Sequence, residues 1–288
     1  ALFFGTLAIL TPLAYRYGAT PLPLLTWRFV FASLLLAVVA TAAKRGSLRV
    51  PLSDVGRFAT LAVTGYGLAS ICFFFALIYA DAAIVAVLLY TYPAIVTVVS
   101  WILGMQRPDW RKALAVAVTF LGCVLVMDPF HPGVTVKPMG ILLGLGAAAG
   151  YSSFNLLSHR WLPGRSRLVM MTYTFGIAAA FAGAICLLGG GSLSTAGWAP
   201  QVWWLLGAIV LMPTFGAILL YLEGIRGLGP AQAAVISTLE PLFTIALAAI
   251  VFPEQRLAPI QLVGAAIVLA GVVASELLNR TAEELPPV

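Results

Sequence analysis

Apolar residues run along this chain in blocks of about 20, without the strict alternation of a strand and without a single amphipathic stripe. Ten blocks can be marked, covering residues 1–17, 23–43, 56–79, 82–104, 110–127, 138–159, 167–189, 200–223, 229–252 and 258–279. Blocks of this length match the thickness of a bilayer core when helical. The connections are short and rich in turn formers: Pro21 and Pro23, Lys44-Arg45-Gly46, Pro129 to Gly133, and Gly189-Gly190-Gly191. No room is left for a soluble domain. The expected architecture is an all-α integral membrane protein of ten transmembrane helices.

Two blocks contain what such blocks normally exclude. The stretch Gly229 to Phe252 carries Glu240-Pro241 at its centre, behind Ser237-Thr238-Leu239. A carboxylate at bilayer mid-depth is costly, and a proline removes the hydrogen bond that the carbonyl four residues back would accept, here that of Ser237. The stretch Ala82 to Gly104 repeats the design, with Pro93 behind Tyr90-Thr91-Tyr92, which frees the carbonyl of Leu89. Both prolines predict broken helices.

Sliding the fourth block onto the ninth superposes Pro93 on Pro241 and brings Ala83, Ala86 and Val87 onto Ala231, Ala234 and Val235. One further residue of slip places Gly122 on Gly271 in the fifth and tenth blocks. Ten spans divide as five plus five, residues 1–130 and 131–288. An odd number of spans per unit makes the second copy enter the membrane from the opposite side, the inverted repeat found in secondary transporters.

Charge supports the segment count. With alternate loops taken as cytoplasmic, Lys44, Arg45, Arg49, Arg57, Arg107, Arg111, Lys112, Arg160, Arg165, Arg167, Arg226 and Arg280 share one side. Arg16, Lys137 and Arg256 are on the other, and Arg28 falls inside the second block. Such a bias in short loops puts both termini in the cytoplasm. Trp198, Trp203 and Trp204 then mark the outer surface, Trp110 and Trp161 the inner one. The composition agrees: 61% hydrophobic residues, 9% charged and a mean hydropathy of +1.03 exclude a water-soluble globule, and the net charge of +6 is accounted for as a topology signal, not as a nucleic-acid footprint. Cys72, Cys123 and Cys186 lie in separate blocks without metal spacing and read as buried thiols. The chain opens on Ala1-Leu2-Phe3-Phe4, with no basic flank, which suggests a start inside the first helix after trimming of a short leader; Leu2 to Tyr17 lacks the cleavage signature of a signal peptide.

Polar residues inside the blocks are the candidates for a solute site. On the ninth block Gln232, Glu240 and Thr244 recur at multiples of four with Ser237 nearby; the carboxylate either stabilises the break or lines a water-filled cavity. On the fourth, Tyr90, Ala94, Thr97 and Trp101 share a face. On the sixth, Tyr151, Phe154, Asn155 and Ser158 share another, with Gly144 and Ala148 permitting close approach. Tyr66, Ser70 and Phe74 form one face of the third and Thr11 with Tyr15 one face of the first, where packing is the simpler reading. Phe215 joins the aromatic set expected near the cavity. Arg28 is near the outer end of its block and is expected to snorkel. His131 and His159 sit in or beside loops. The substrate-site set is thus Ser70, Phe74, Tyr90, Thr97, Tyr151, Phe154, Asn155, Gln232, Ser237 and Glu240, with Pro93 and Pro241 as the helix breaks and no metal or cofactor implied.

The order of short spans, the Tyr92-Pro93 and Glu240-Pro241 helices, and the tail Pro253-Glu254-Gln255-Arg256 followed by Gln261-Leu262-Val263-Gly264 to Gly271 resemble the two halves of an EamA-type member of the drug/metabolite transporter superfamily. Within it the nearest likeness is to bacterial aromatic amino acid exporters. In the first half the acidic residue that the family carries after the fourth span is replaced by Gln106, and Tyr92 stands where the second half has Glu240. A symmetrical role for two carboxylates is ruled out. The resemblance implies export of amino acids or related metabolites across a bacterial inner membrane, and the aromatic residues suit an apolar or aromatic solute.

Other classes fit less well. An intramembrane hydrolase needs a Ser-His pair, facing aspartates or a metal site, whereas both histidines are peripheral and Asp54, Asp81, Asp109 and Asp128 lie at block ends. No lysine sits in the middle of a block, Lys112 being at the start of its own, no GxxxxGK is present, and no filter motif or charge ring marks a channel. A channel or sensory protein, or a carrier of non-amino-acid solutes, is the alternative to an amino-acid exporter. The expected partners are the lipid bilayer and a small-molecule substrate, with no nucleic acid, and a monomer is compatible with the sequence.

Overall fold

The computed structural model describes residues 1–42, 48–80, 82–128, 130, 137–251 and 258–283. The turn at Lys44-Arg45-Gly46, Asp81, Pro129 with His131 to Gly133, and the Pro253-Glu254-Gln255-Arg256 motif lie outside the described residues. Everything regular among the described residues is helical: α1 (Leu2–Arg16), α2 (Pro21–Ala42), α3 (Leu52–Tyr79), α4 (Ala82–Leu89), α5 (Tyr92–Ile102), α6 (Trp110–Met127), α7 (Pro138–Trp161), α8 (Arg167–Leu188), α9 (Pro200–Leu228), α10 (Pro230–Ser237), α11 (Glu240–Val251) and α12 (Pro259–Glu283).

Local chemistry sets these boundaries. Prolines stand in the first turn of α2, α5, α7, α9, α10 and α12, where a missing N–H costs nothing. Asp109 caps α6 by accepting from the Arg111 N–H at 2.9 Å. Gly229 ends α9 at φ 85°, a left-handed conformation that a side chain would strain. Three boundaries lie four or more residues from expectation, the end of α12 at Glu283 among them. The third helix begins at Leu52, because Asp54 in its first turn suits the positive helix end, and α9 continues to Leu228 until that glycine.

Among the described residues seven helices are long and apolar enough to cross a membrane: α2, α3, α4 with α5 as Ile84–Ile102, α6, α7, α8 and α9. The helix α1 and the apolar part of α12, Pro259–Ala274, are shorter. Three long contacts organise the bundle: α2 along α8, α3 along α7, and α6 along α12. Small residues let the backbones approach. A methyl at Gly150 would sit 2.8 Å from the Ala69 nitrogen, and one at Gly264 would sit 2.6 Å from the Val126 nitrogen. An aromatic core holds the α2 and α8 side, with Phe29 stacked on Phe175 at 5.4 Å.

Both expected breaks are present, at the same place relative to their prolines. One runs from Leu89 to Tyr92 ahead of Pro93, the other from Ser237 to Glu240 ahead of Pro241. Each is tightened by shorter-range bonds, Thr91 N to Leu88 O at 3.2 Å and Thr238 N to Val235 O at 3.1 Å. Two further irregularities were not anticipated. The helix α3 contains a π-helical stretch, Leu61–Tyr66, with Gly65 at φ −107° and ψ −109°. The helix α9 contains another, Val210–Gly216, around Pro213. Pro213 has no N–H for the Ile209 carbonyl, and the Thr214 hydroxyl takes its place at 2.7 Å.

Candidate functional site

The elements just described converge on a cavity inside the bundle. Glu240 enters from the start of α11, Tyr90 from the break after α4, and Tyr92 from the start of α5; Tyr66, Ser70 and Phe74 come from α3, Tyr151 from α7 and Arg28 from α2. Its volume is about 80 Å³. Glu240 is partly buried and lines the cavity together with Tyr90. The hydroxyl of Ser70 and the rings of Phe74 and Tyr151 complete the lining.

Arg28 corrects an expectation. Its side chain does not snorkel; it is 1% exposed and turns inward. Nε donates to Thr214 Oγ1 at 2.7 Å and Nη2 to the Tyr66 hydroxyl at 3.0 Å. These two acceptors belong to the two π-helical stretches. The guanidinium carbon also lies 5.5 Å from the Phe29 ring and 6.0 Å from the Phe74 ring. Thr214 can accept because its own proton is spent on Ile209 O, the carbonyl that Pro213 leaves free. The proline kink thus creates the acceptor that holds the arginine.

Tyr92 joins the two broken helices. Its hydroxyl donates to Ala234 O at 3.1 Å and is hydrogen-bonded to the Ser237 hydroxyl. Ala234 lies one turn before the break in α10, and the N–H of Thr238 that would have served its carbonyl has turned to Val235 instead. The phenol of one broken helix therefore caps the other. Behind it, Tyr151 packs edge-on against Tyr92 at 4.8 Å and stacks on Tyr221 at 5.8 Å.

Of the ten residues expected at a solute site, Ser70, Phe74, Tyr90, Tyr151 and Glu240 line this cavity. The other five do not. Asn155 is fully buried, its amide donating to Tyr151 O at 2.8 Å and its oxygen accepting from the Tyr221 hydroxyl. Phe154 packs beneath, 5.3 Å from the Tyr66 ring. Gln232 is buried within α10. Ser237 faces a separate cleft of about 310 Å³ between α1, α9 and α10, together with Tyr221 and Ile236, where no Lys, Arg or carboxylate is present. Thr97 returns its hydroxyl to Pro93 O at 2.8 Å and lies in a lateral cleft against α6 with Trp101 and Phe120. The helix breaks explain part of this dispersal, since a continuous helix would have kept Tyr90 with Thr97 and Gln232 with Glu240 on one face, whereas Phe154 and Asn155, on the unbroken α7, are taken up by packing and by hydrogen bonds to Tyr151 and Tyr221. Thr244, likewise, turns to α1 and the Gly5 carbonyl at 3.3 Å.

Arg28, Tyr66, Tyr92 and Tyr221 were not in the expected set. Their signal was indirect: Gly65 and Pro213 hold the same place in the two halves under the alignment that superposes Pro93 on Pro241, directly before Tyr66 and Thr214.

Outside the cavity, Asp54 ties α3 to the connection between α7 and α8. It accepts from Arg165 Nε at 2.9 Å and Nη2 at 2.8 Å, and from Arg57 Nη1 at 2.7 Å. Hydrogen bonding to this carboxylate holds the Arg165 guanidinium above its ordinary pKa. Cys72, Cys123 and Cys186 are free thiols.

Fold and site define a multi-pass helical membrane protein with interrupted helices around an internal polar cavity. The model of the EamA-like transporter family matches residues 1–128 and 138–276, and the chain belongs to that family. An uncharacterized transporter of Bacillus subtilis (strain 168), YwfM, is 24% identical over 202 residues, or 66% of this chain and 64% of the relative. The match thus spans under two thirds of the relative's length. A solved crystal structure, 20% identical, covers 98% of this chain and 96% of its own with a TM-score of 0.81, a likeness of fold.

Proposed function

We propose that the chain is a secondary transporter that exports amino acids or related small metabolites across the bacterial inner membrane by alternating access. Its two halves, residues 1–130 and 131–288, are inverted five-helix repeats, and ten helices cross the membrane with both termini cytoplasmic. The observation that carries this reading is the cavity where both proline-broken helices meet, lined by Tyr90 and Tyr92 from one and Glu240 from the other. Broken helices at a repeat interface are where transporters bind solutes. The pairing of α2 with α8 and of α6 with α12, equivalent elements of the two halves, further supports the repeat.

The cavity volume of about 80 Å³ is well below that of small-molecule pockets, roughly 300–1,000 Å³. Loading a solute therefore requires the halves to part, which is the movement that alternating access supplies. The tie between Asp54 and Arg165 lies on the face read as cytoplasmic and links the two halves there. Glu240 is the group on which proton coupling would act.

The test is uptake by proteoliposomes of the purified protein, using radiolabelled amino acids, paraquat-like cations and sugars. Saturable amino-acid transport with counterflow is expected. Transport confined to sugars would sink the substrate assignment, and flux without saturation or counterflow would indicate a channel.

A further inference from the structure

Arg28 is a buried cation that forms no ion pair among the described residues. Ion pairs join Arg57 and Arg165 to Asp54, and Arg167 and Arg226 to Glu223, and none of these involves Arg28. A charge taken out of water is costly unless it is paired and hydrogen-bonded. The protein satisfies only part of this requirement. A guanidinium has five N–H donors, and two of them are used, on Thr214 and Tyr66. The rest belong to a side chain that lines the cavity. The two bonds fix the guanidinium plane from α9 and α3, so the remaining edge is oriented before any solute arrives.

The same cavity contains the opposite charge. Glu240 lines it from α11, yet Arg28 and Glu240 form no ion pair. A fixed cation and a carboxyl in the lining of one cavity, together with the rings of Phe74, Tyr90 and Tyr151, are complementary to a solute carrying both charges. The buried amide of Asn155 offers no alternative anchor, because both its ends are already engaged.

We propose that Arg28 is the carboxylate subsite of the cavity: the solute is a zwitterion whose carboxylate takes the free edge of the Arg28 guanidinium while its ammonium faces Glu240. Arg is suited to this role because its planar fork matches a carboxylate in two parallel bonds, which Lys cannot reproduce. The proposal rests on the transport reading above and narrows it, since a sugar, an amine or a quaternary cation leaves Arg28 unpaired.

The experiment uses three probes with the same ring: L-phenylalanine, phenethylamine, which lacks the carboxylate, and 3-phenylpropionate, which lacks the ammonium. Each competes for binding of radiolabelled L-phenylalanine to the full chain in nanodiscs, and each is tested separately for counterflow. The zwitterion should bind at least roughly tenfold more tightly than either single-ended analogue, because a site built for a polar group rejects the compound that lacks it. Arg28→Gln should collapse this preference, bringing phenylalanine to the level of phenethylamine, and Arg28→Lys should restore it only in part. A purely structural role would weaken both probes by the same factor and leave their ratio intact. That result, or equal binding of phenylalanine and phenethylamine by the parent chain, overturns the carboxylate subsite while leaving a transporter. Absence of binding by all three probes overturns it as well; counterflow of a cation or sugar would then keep the carrier, and loss of all counterflow would remove both readings. The probe comparison on the parent chain decides the matter even if the variants fail to fold.

Discussion

Replacing Tyr92 by Phe removes one oxygen and keeps the ring, which makes it a clean test of the link between the broken helices. Tyr92 is 2% exposed, and its proton goes to Ala234 O, so the Ser237 hydroxyl must donate to the phenol oxygen. The substitution therefore orphans a backbone carbonyl and a serine hydroxyl together. A buried group left unpaired costs about 1–3 kcal/mol, whereas hydrogen bonds in membrane bundles average about 0.6 kcal/mol by double-mutant cycles, with a maximum near 1.7. The lower figures reflect sites where the freed group finds another partner. Here the N–H of Thr238 is committed to Val235 O, so a loss of about 1–2 kcal/mol is expected. Reversible unfolding in mixed micelles measures it. A cycle with Ser237→Ala should show a coupling of about 0.5–1.5 kcal/mol. If Tyr92→Phe lies within about 0.3 kcal/mol of the parent and the two substitutions simply add, the phenol does not bridge the breaks.

Three further outcomes follow from separate parts of the bundle. Gly264→Ala should destabilise by about 1–3 kcal/mol, because the added methyl meets α6 backbone that cannot move aside, whereas Gly207→Ala, with nothing within 4 Å, should cost nothing; equal effects in the same unfolding assay would refute the seam between α6 and α12. Glu240→Gln keeps the size of the side chain and removes its charge, so transport in proteoliposomes should lose rate and pH dependence; an unchanged rate with an unchanged pH profile would exclude proton coupling at this residue. Asp54→Asn should speed amide hydrogen exchange in residues 162–166 and in the first turn of α3, since Arg165 then loses its carboxylate partner; identical exchange in the two proteins would show that the tie does not link the halves.

Much of the scaffold was written in local chemistry. A proline deletes a specific hydrogen bond wherever it stands, so Pro93 and Pro241 announced the interrupted helices without reference to any neighbour. The Asp109 cap and the prolines that open helices are equally local, although the structure was needed to bring them out. Five of the ten expected site residues also reached the cavity, because polar and aromatic side chains in an apolar helix have few favourable destinations. The misses on the two broken helices have a common cause. Helical periodicity assumes an unbroken helix, and at both breaks the chain turns part of its face elsewhere, sending Thr97 to a lateral cleft and burying Gln232 in α10.

The sequence by itself determined the apolar blocks, the breaks and the lone mid-depth carboxylate, all of which depend on residues within one turn of each other. Tertiary structure alone decided where Arg28 went. From position along its helix, snorkelling outward and turning inward were both open to it. The choice was made by acceptors 38 and 186 residues away, the Tyr66 hydroxyl and the Thr214 hydroxyl, which two helix kinks bring to the same point inside the bundle. A long flexible cation goes where its hydrogen bonds are, and those acceptors come together only when α3 and α9 pack around α2.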